Sequence, residues 1–134
     1  MSFISYAQNF EDVILMRALN SVEKGFYVDV GAWDPSYDSV TRAFYDRGWH
    51  GINVEPVDYY FNRLRSARPR DINVQALIGA QAGAANFYVL AESGLSTMCR
   101  ETAERHAAEN DYQMSESQIR VKTLTELCLE HGVA

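Results

Sequence analysis

Two carboxylates at the ends of apolar runs are the side chains in this chain best placed to do chemistry. The first is Asp29, in FYVDVGAWDP (residues 26–35), two positions before Gly31. The second is Glu55, which closes INVE 24 residues beyond that glycine. Short apolar runs bounded by glycines predict buried strands. In an open α/β sheet, ligands bind beyond the carboxyl ends of the strands, where the strand order reverses. Gly31 allows a sharp turn there and lets a ligand approach the backbone. Asp29 can orient the loop or accept from an ammonium group. A carboxylate roughly 20 residues after such a glycine is where a ribose diol is met. Glu55 therefore suits a ribose-bearing cofactor.

The loop itself narrows the cofactor. A dinucleotide needs the Gly-x-Gly-x-x-Gly pattern, because its pyrophosphate presses on bare backbone at a helix N-terminus. Trp33 and Ser36 stand where the second and third glycines belong, and a bulky Trp33 would obstruct a diphosphate. S-adenosylmethionine has no phosphate, carries a sulfonium cation and tolerates acidic neighbours. It fits better than a nicotinamide dinucleotide, although on spacing alone a purely structural strand-turn-helix remains open.

Other reactive residue types lack partners. His50, His106 and His131 have no metal-ligand spacing with Cys99 or Cys128, so no metal site is expected. Neither cysteine has a neighbour that would mark a nucleophile. Arg63, Arg65, Arg68 and Arg70 read as a solvated face at a helix end. The 134 residues carry a net charge of −6, which disfavours nucleic acid and anionic membranes as partners. No apolar run approaches the roughly 20 residues of a membrane span. The start, MSFISYAQNFED, has no leader pattern, and the cysteines imply no disulfide framework, so a cytoplasmic protein is expected.

The positioning elements follow from periodicity and punctuation. A helix is predicted over 10–19 with Asn9 as cap, and a strand over 26–30. A second helix spans 39–47, capped by Asp38 or Ser39 and closed by Gly48. A strand over 52–55 leads through Pro56 into a third helix that stops at Pro69. A third strand covers 72–78. Strand, helix, strand, helix, strand predicts a parallel sheet with right-handed crossovers. Beyond a turn at 79–83, a strand over 85–90 is expected to be antiparallel. A loop follows at 93–97, a polar helix at 100–110, and irregular chain to about 117. A strand over 119–122 and a helix opened by the capping box Thr123-Leu124-Thr125-Glu126 complete the pattern.

The segments SYAQNFEDVIL, GFYVDVGAWDPSYDSVTRAFYDRGWHGINVEP, SARPRDINVQALIG and SGLST resemble, in that order, the FkbM family of methyltransferases. The resemblance implies a Rossmann-like methyltransferase fold, α/β with a mostly parallel sheet and helices on both faces. It also implies methyl transfer from S-adenosyl-L-methionine, usually to a hydroxyl oxygen of a sugar or polyketide-like acceptor. By position, Asp29, Gly31 and Ala32 match the motif that holds the methionine part of the cofactor, and Glu55 matches the ribose-binding acid. Leu77 and Ile78 match residues near the adenine, and Asp34 borders the pocket mouth. Gln8 belongs to an opening motif that folds over the cofactor entrance, whereas Glu11 and Asp12 beside it serve equally as acids of a helix N-terminus. Ser96 and Thr97 match a loop facing the acceptor.

Members of that family continue into a strand of the Ile-Asp-Val-Glu-Gly type, whose acidic residues lie beside the acceptor. Residues 1–134 are accordingly expected to form a single FkbM-like domain incomplete at its C-terminus, a truncated half of the sheet with no assigned catalytic residue. The missing neighbour would leave the Asp29 strand with an open apolar edge, so a homo-oligomer formed through that edge is expected. A non-catalytic interaction or scaffold domain is the alternative, although such a domain need not keep both Asp29 and Glu55.

Overall fold

Apolar strands alternating with helices build the first part of the chain. The computed structural model describes residues 2–133, in two units, the first ending at Gln75 and the second beginning at Ala76. The first contains α1 (Glu11–Ala18), β1 (Phe26–Val30), α2 (Arg42–Asp46), β2 (His50–Val54), α3 (Asp58–Ala67) and β3 (Ile72–Val74). Its three strands lie in the order β1-β2-β3, all parallel, with Val28 opposite Ile52 and Ile52 opposite Ile72. The expected parallel sheet is therefore present. β2 is its buried centre, Ile52 and Val54 being almost wholly enclosed. Among the described residues β1 pairs only with β2, and Phe26 and Val30 at its two ends are exposed.

Two helix starts differ from the sequence reading, each because a carboxylate captures backbone ahead of the helix. Asn9 is not the cap of α1. Phe10 holds that place in a left-handed conformation (φ 61°) with no side-chain cap. The organising group is Asp12, fully buried. Its carboxylate accepts from Ser5 Oγ at 2.7 Å, Tyr6 N at 2.8 Å, Ala7 N at 3.3 Å and Val13 N at 2.9 Å. α2 begins at Arg42, not at residue 39, because Asp34 holds the amides of Ser36 and Tyr37 in a local turn and Asp38 is left-handed (φ 50°). Ser39 still acts near the helix start, its Oγ accepting from Arg42 N at 3.2 Å.

The second unit contains β4 (Leu77–Ile78), β5 (Gly83–Leu90), α4 (Arg100–Asn110), β6 (Met114–Lys122) and α5 (Leu124–Glu130). The single strand expected over 72–78 is thus two strands in different sheets, β3 and β4, separated by Gln75 and Ala76. The second sheet runs β4-β6-β5, with β4 parallel and β5 antiparallel to β6. The antiparallel strand is as expected. β6 starts five residues earlier than expected, because its polar half, including Glu116, Ser117 and Gln118, pairs with Tyr88, Phe87 and Asn86. α5 opens with the expected capping box: Glu126 N donates to Thr123 Oγ1 at 3.1 Å and Thr123 N to Glu126 Oε2 at 2.9 Å. No helix among the described residues is long and apolar enough to cross a membrane.

Candidate functional site

The loop leaving β1 is tied to the end of β2 by backbone and by one carboxylate. Gly31 has φ 72°, and a Cβ placed on it would meet nothing within 4 Å. The sharp turn expected of this glycine is present, in the left-handed region, and the space beside its Cα is open. Gly31 N and Ala32 N donate to Val54 O at 2.9 and 3.1 Å. Glu55 completes the join: its Oε2 accepts from Trp33 N at 2.7 Å and its Oε1 from Val57 N at 2.9 Å. Trp33 is itself left-handed (φ 53°), a conformation that costs a bulky residue energy and here points its amide at Glu55. A pyrophosphate would need that amide. A carboxylate has about four lone-pair sites, so Glu55 retains acceptors for further donors.

Asp29 lies on the same sheet edge as Gly31. Its Oδ2 accepts from Thr41 Oγ1 at 2.6 Å. Burial pushes the Asp29 carboxyl above the usual carboxylate range, against the opposing pull of Thr41 and of the Arg68 guanidinium. Glu55 is also raised by burial, with the two backbone donors opposing and the Asp29 charge adding to the rise. Asp29 further lines a largely apolar cavity of about 310 Å³ with Leu15, Leu19, Val28, Val40 and Phe44. Asp34 is engaged by both the loop and α3: Oδ1 accepts from Ser36 N and Tyr37 N, each at 2.8 Å, and Oδ2 pairs with Arg63 Nη2 at 3.0 Å. The Trp33 ring packs between Tyr37 and Tyr60, with centroids 5.7 and 5.5 Å away.

Sequence reasoning missed Arg68. It is not part of a solvated face, for only 1% of it is exposed. The chain wraps around its guanidinium. Nη2 donates to Pro35 O at 2.8 Å and Ser39 Oγ at 3.0 Å, and Nη1 to Thr41 Oγ1 and Tyr27 Oη, both at 3.3 Å. Asp71 sits 3.6 Å from Nη1. The one local signal was Pro69, which disfavours helical backbone at the residue before it, so that Arg68 (φ −123°, ψ 56°) leaves the row of Arg63 and Arg65 on α3.

Residues 29–133 match the family model described as the methyltransferase FkbM domain. The chain belongs to the FkbM methyltransferase family. The matched span opens at Asp29 itself and includes Glu55 and the second unit, whereas Gln8 precedes it. Neither the curated proteins nor the solved structures contain a match to the chain.

In this FkbM chain Asp29, Gly31, Ala32, Asp34 and Glu55 come together at the carboxyl ends of β1 and β2. Gln8 is exposed in the segment ahead of α1, and its side chain makes no hydrogen bond among the described residues. Leu77 and Ile78 are half-buried in β4, opposite Val121 and Lys122 of β6. Ser96 Oγ accepts from Leu90 N at 3.0 Å, and Thr97 Oγ1 from Cys99 N at 3.1 Å. Thr97 also bridges Tyr88 through paired backbone bonds of 2.8 and 3.0 Å. Both side chains therefore shape the loop that follows β5.

Proposed function

We propose that this FkbM domain binds S-adenosylmethionine at the carboxyl ends of β1 and β2, for methyl transfer to a hydroxyl oxygen of a sugar or polyketide-like acceptor. Asp29, Gly31 and Ala32 take the methionine part and Glu55 takes the ribose. When bound, S-adenosylmethionine supplies an electrophilic methyl group on a sulfonium. The chain's part is to hold the donor in line with the acceptor oxygen. The observation that carries the reading is Glu55: a buried carboxylate, fixed at both oxygens by backbone amides, with acceptors to spare beside the open ground at Gly31. Asp29 offers a second, largely buried negative charge suited to the ammonium of the methionine part.

Titration calorimetry with S-adenosylhomocysteine tests this directly. Wild type is expected to bind, and Glu55→Ala to weaken binding at least about tenfold, the worth of a hydrogen bond to a charged group. No heat with wild type, or equal affinity in the variant, would overturn the reading.

The raised carboxylates also set a pH dependence. Asp29 and Glu55 have folded pKa values above their unfolded ones. Their contribution to stability is therefore fully present below the unfolded carboxylate range and is lost as pH rises through the folded values. Ligand affinity runs the other way, because an ammonium favours ionised Asp29. S-adenosylhomocysteine should bind more weakly at about pH 5 than at about pH 7.5. A flat or inverted profile would remove Asp29 from the site.

A further inference from the structure

We propose that Thr41 and Arg68 are positioning residues of the cofactor site, forming a relay that aims the Asp29 carboxylate and keeps it an acceptor. The Arg68 guanidinium has donors and no acceptor, so Thr41 Oγ1 must accept from Nη1 at 3.3 Å. With that lone pair taken, the Thr41 hydroxyl proton is directed at Asp29 Oδ2, 2.6 Å away. The same guanidinium holds Pro35 O and Ser39 Oγ. One buried cation therefore fixes both the charge that would meet the ammonium and the chain that follows the Gly31 turn.

Residues Thr41 and Asp29 sit on α2's N-terminal flank and on β1, while Arg68 comes from the end of α3. None of the three is held by its own element alone. The charged groups facing Asp29 are Arg68, which favours its ionised form, Asp71, which opposes it, and Glu55, with which it repels mutually. Arg68 also sits 3.6 Å from Asp71, so the cation is shared between the two acids. The Thr41 hydroxyl is the one neutral donor on Asp29 among the described residues, and removing it shifts the balance towards the protonated acid. Thr41 and Arg68 affect binding only if Asp29 meets the cofactor, so their role in the site rests on the proposed function.

The test follows the Asp29 carboxyl carbon by NMR through a pH titration of wild type, Thr41→Val, Thr41→Ser and Arg68→Met. Thr41→Val should raise the Asp29 midpoint by about one pH unit, and Thr41→Ser, which keeps the hydroxyl, should restore it. Arg68→Met should raise it too, and by less in the Thr41→Val background than alone, as expected of groups in one network. Should Arg68→Met fail to fold, Thr41→Val decides. An unmoved midpoint in a natively folded Thr41→Val protein would overturn the relay. In parallel, Thr41→Val should weaken S-adenosylhomocysteine binding up to about tenfold at pH values below the Asp29 midpoint measured in wild type. A raised midpoint with unchanged affinity would overturn the link to binding. If wild type itself binds no S-adenosylhomocysteine, the proposed function falls, while the Asp29 titration still decides whether Thr41 and Arg68 position that carboxylate.

Discussion

Asp71→Ala should cost the protein about 3–5 kcal/mol of stability, the loss typical when one partner of a buried ion pair is removed. Asp71 Oδ1 accepts from Gly51 N at 2.9 Å, and Oδ2 accepts from Tyr27 Oη at 2.5 Å and from Asn53 Nδ2 at 2.9 Å. Alanine would orphan three donors and take from the enclosed Arg68 guanidinium its one ion-pair partner within 4 Å among the described residues. Each orphaned group forfeits its water without a replacement. The donors come from β1 and β2, so the damage falls on the sheet that carries the candidate site. Tyr27 participates as a neutral phenol: burial and the Asp71 charge push its ionisation far upward. Urea denaturation of wild type and variant would measure the difference. Asp71→Asn, which keeps one acceptor oxygen, should lose less. A loss within about 1 kcal/mol for alanine would mean that the network is not cooperative.

The second large effect is expected at Gly51→Ala, at about 3 kcal/mol or more. A Cβ there would lie 2.1 Å from Tyr27 O, 2.4 Å from the Tyr27 ring and 2.8 Å from Tyr27 C. Tyr27 is the paired residue on β1, so the obstacle is the backbone of the neighbouring strand, which cannot swing aside as a side-chain end can. Accommodation would pry β1 from β2 and carry Tyr27 Oη away from Asp71 and Arg68. Gly31→Ala provides the contrast. It meets no atom within 4 Å, and its expected cost is only the roughly 1–2 kcal/mol of a left-handed non-glycine backbone. Thermal melts of the two variants should rank them accordingly. An equal loss at both positions would contradict the steric argument.

The contrast between these glycines also shows what was legible in the chain before folding. Gly31, Asp29 and Glu55 announce themselves locally, because a turn glycine and the acids that close apolar runs are signals carried within a few residues. The parallel β1-β2-β3 order followed from the same alternation. Gly51 gave no such sign, since its constraint is the proximity of Tyr27 across the sheet. Arg68 was misread for a related reason. Beside Arg65 and Arg70 it has the look of a surface residue, and partners far away in the chain, Tyr27, Pro35, Ser39 and Thr41, make it an interior one. The run INVQALI (residues 72–78) holds no glycine, proline or charged residue, so nothing local marked where the chain leaves one sheet for the other. The polar half of β6 was hidden because Ser115, Glu116, Ser117 and Gln118 lack the alternation that identifies a strand.

The strand ladders have one more consequence, and it concerns time. The shortest-range pairing in either sheet joins Ile52 to Ile72, and even the antiparallel arms β5 and β6 meet only after the chain has passed through α4. No ladder among the described residues can be closed by a tight turn. Every one must search for a distant partner and lose loop entropy before its hydrogen bonds form. Chains built from such pairings fold in milliseconds to seconds, not microseconds. During that interval the apolar edge of β1 waits for β2, and β2 for the far side of a helix.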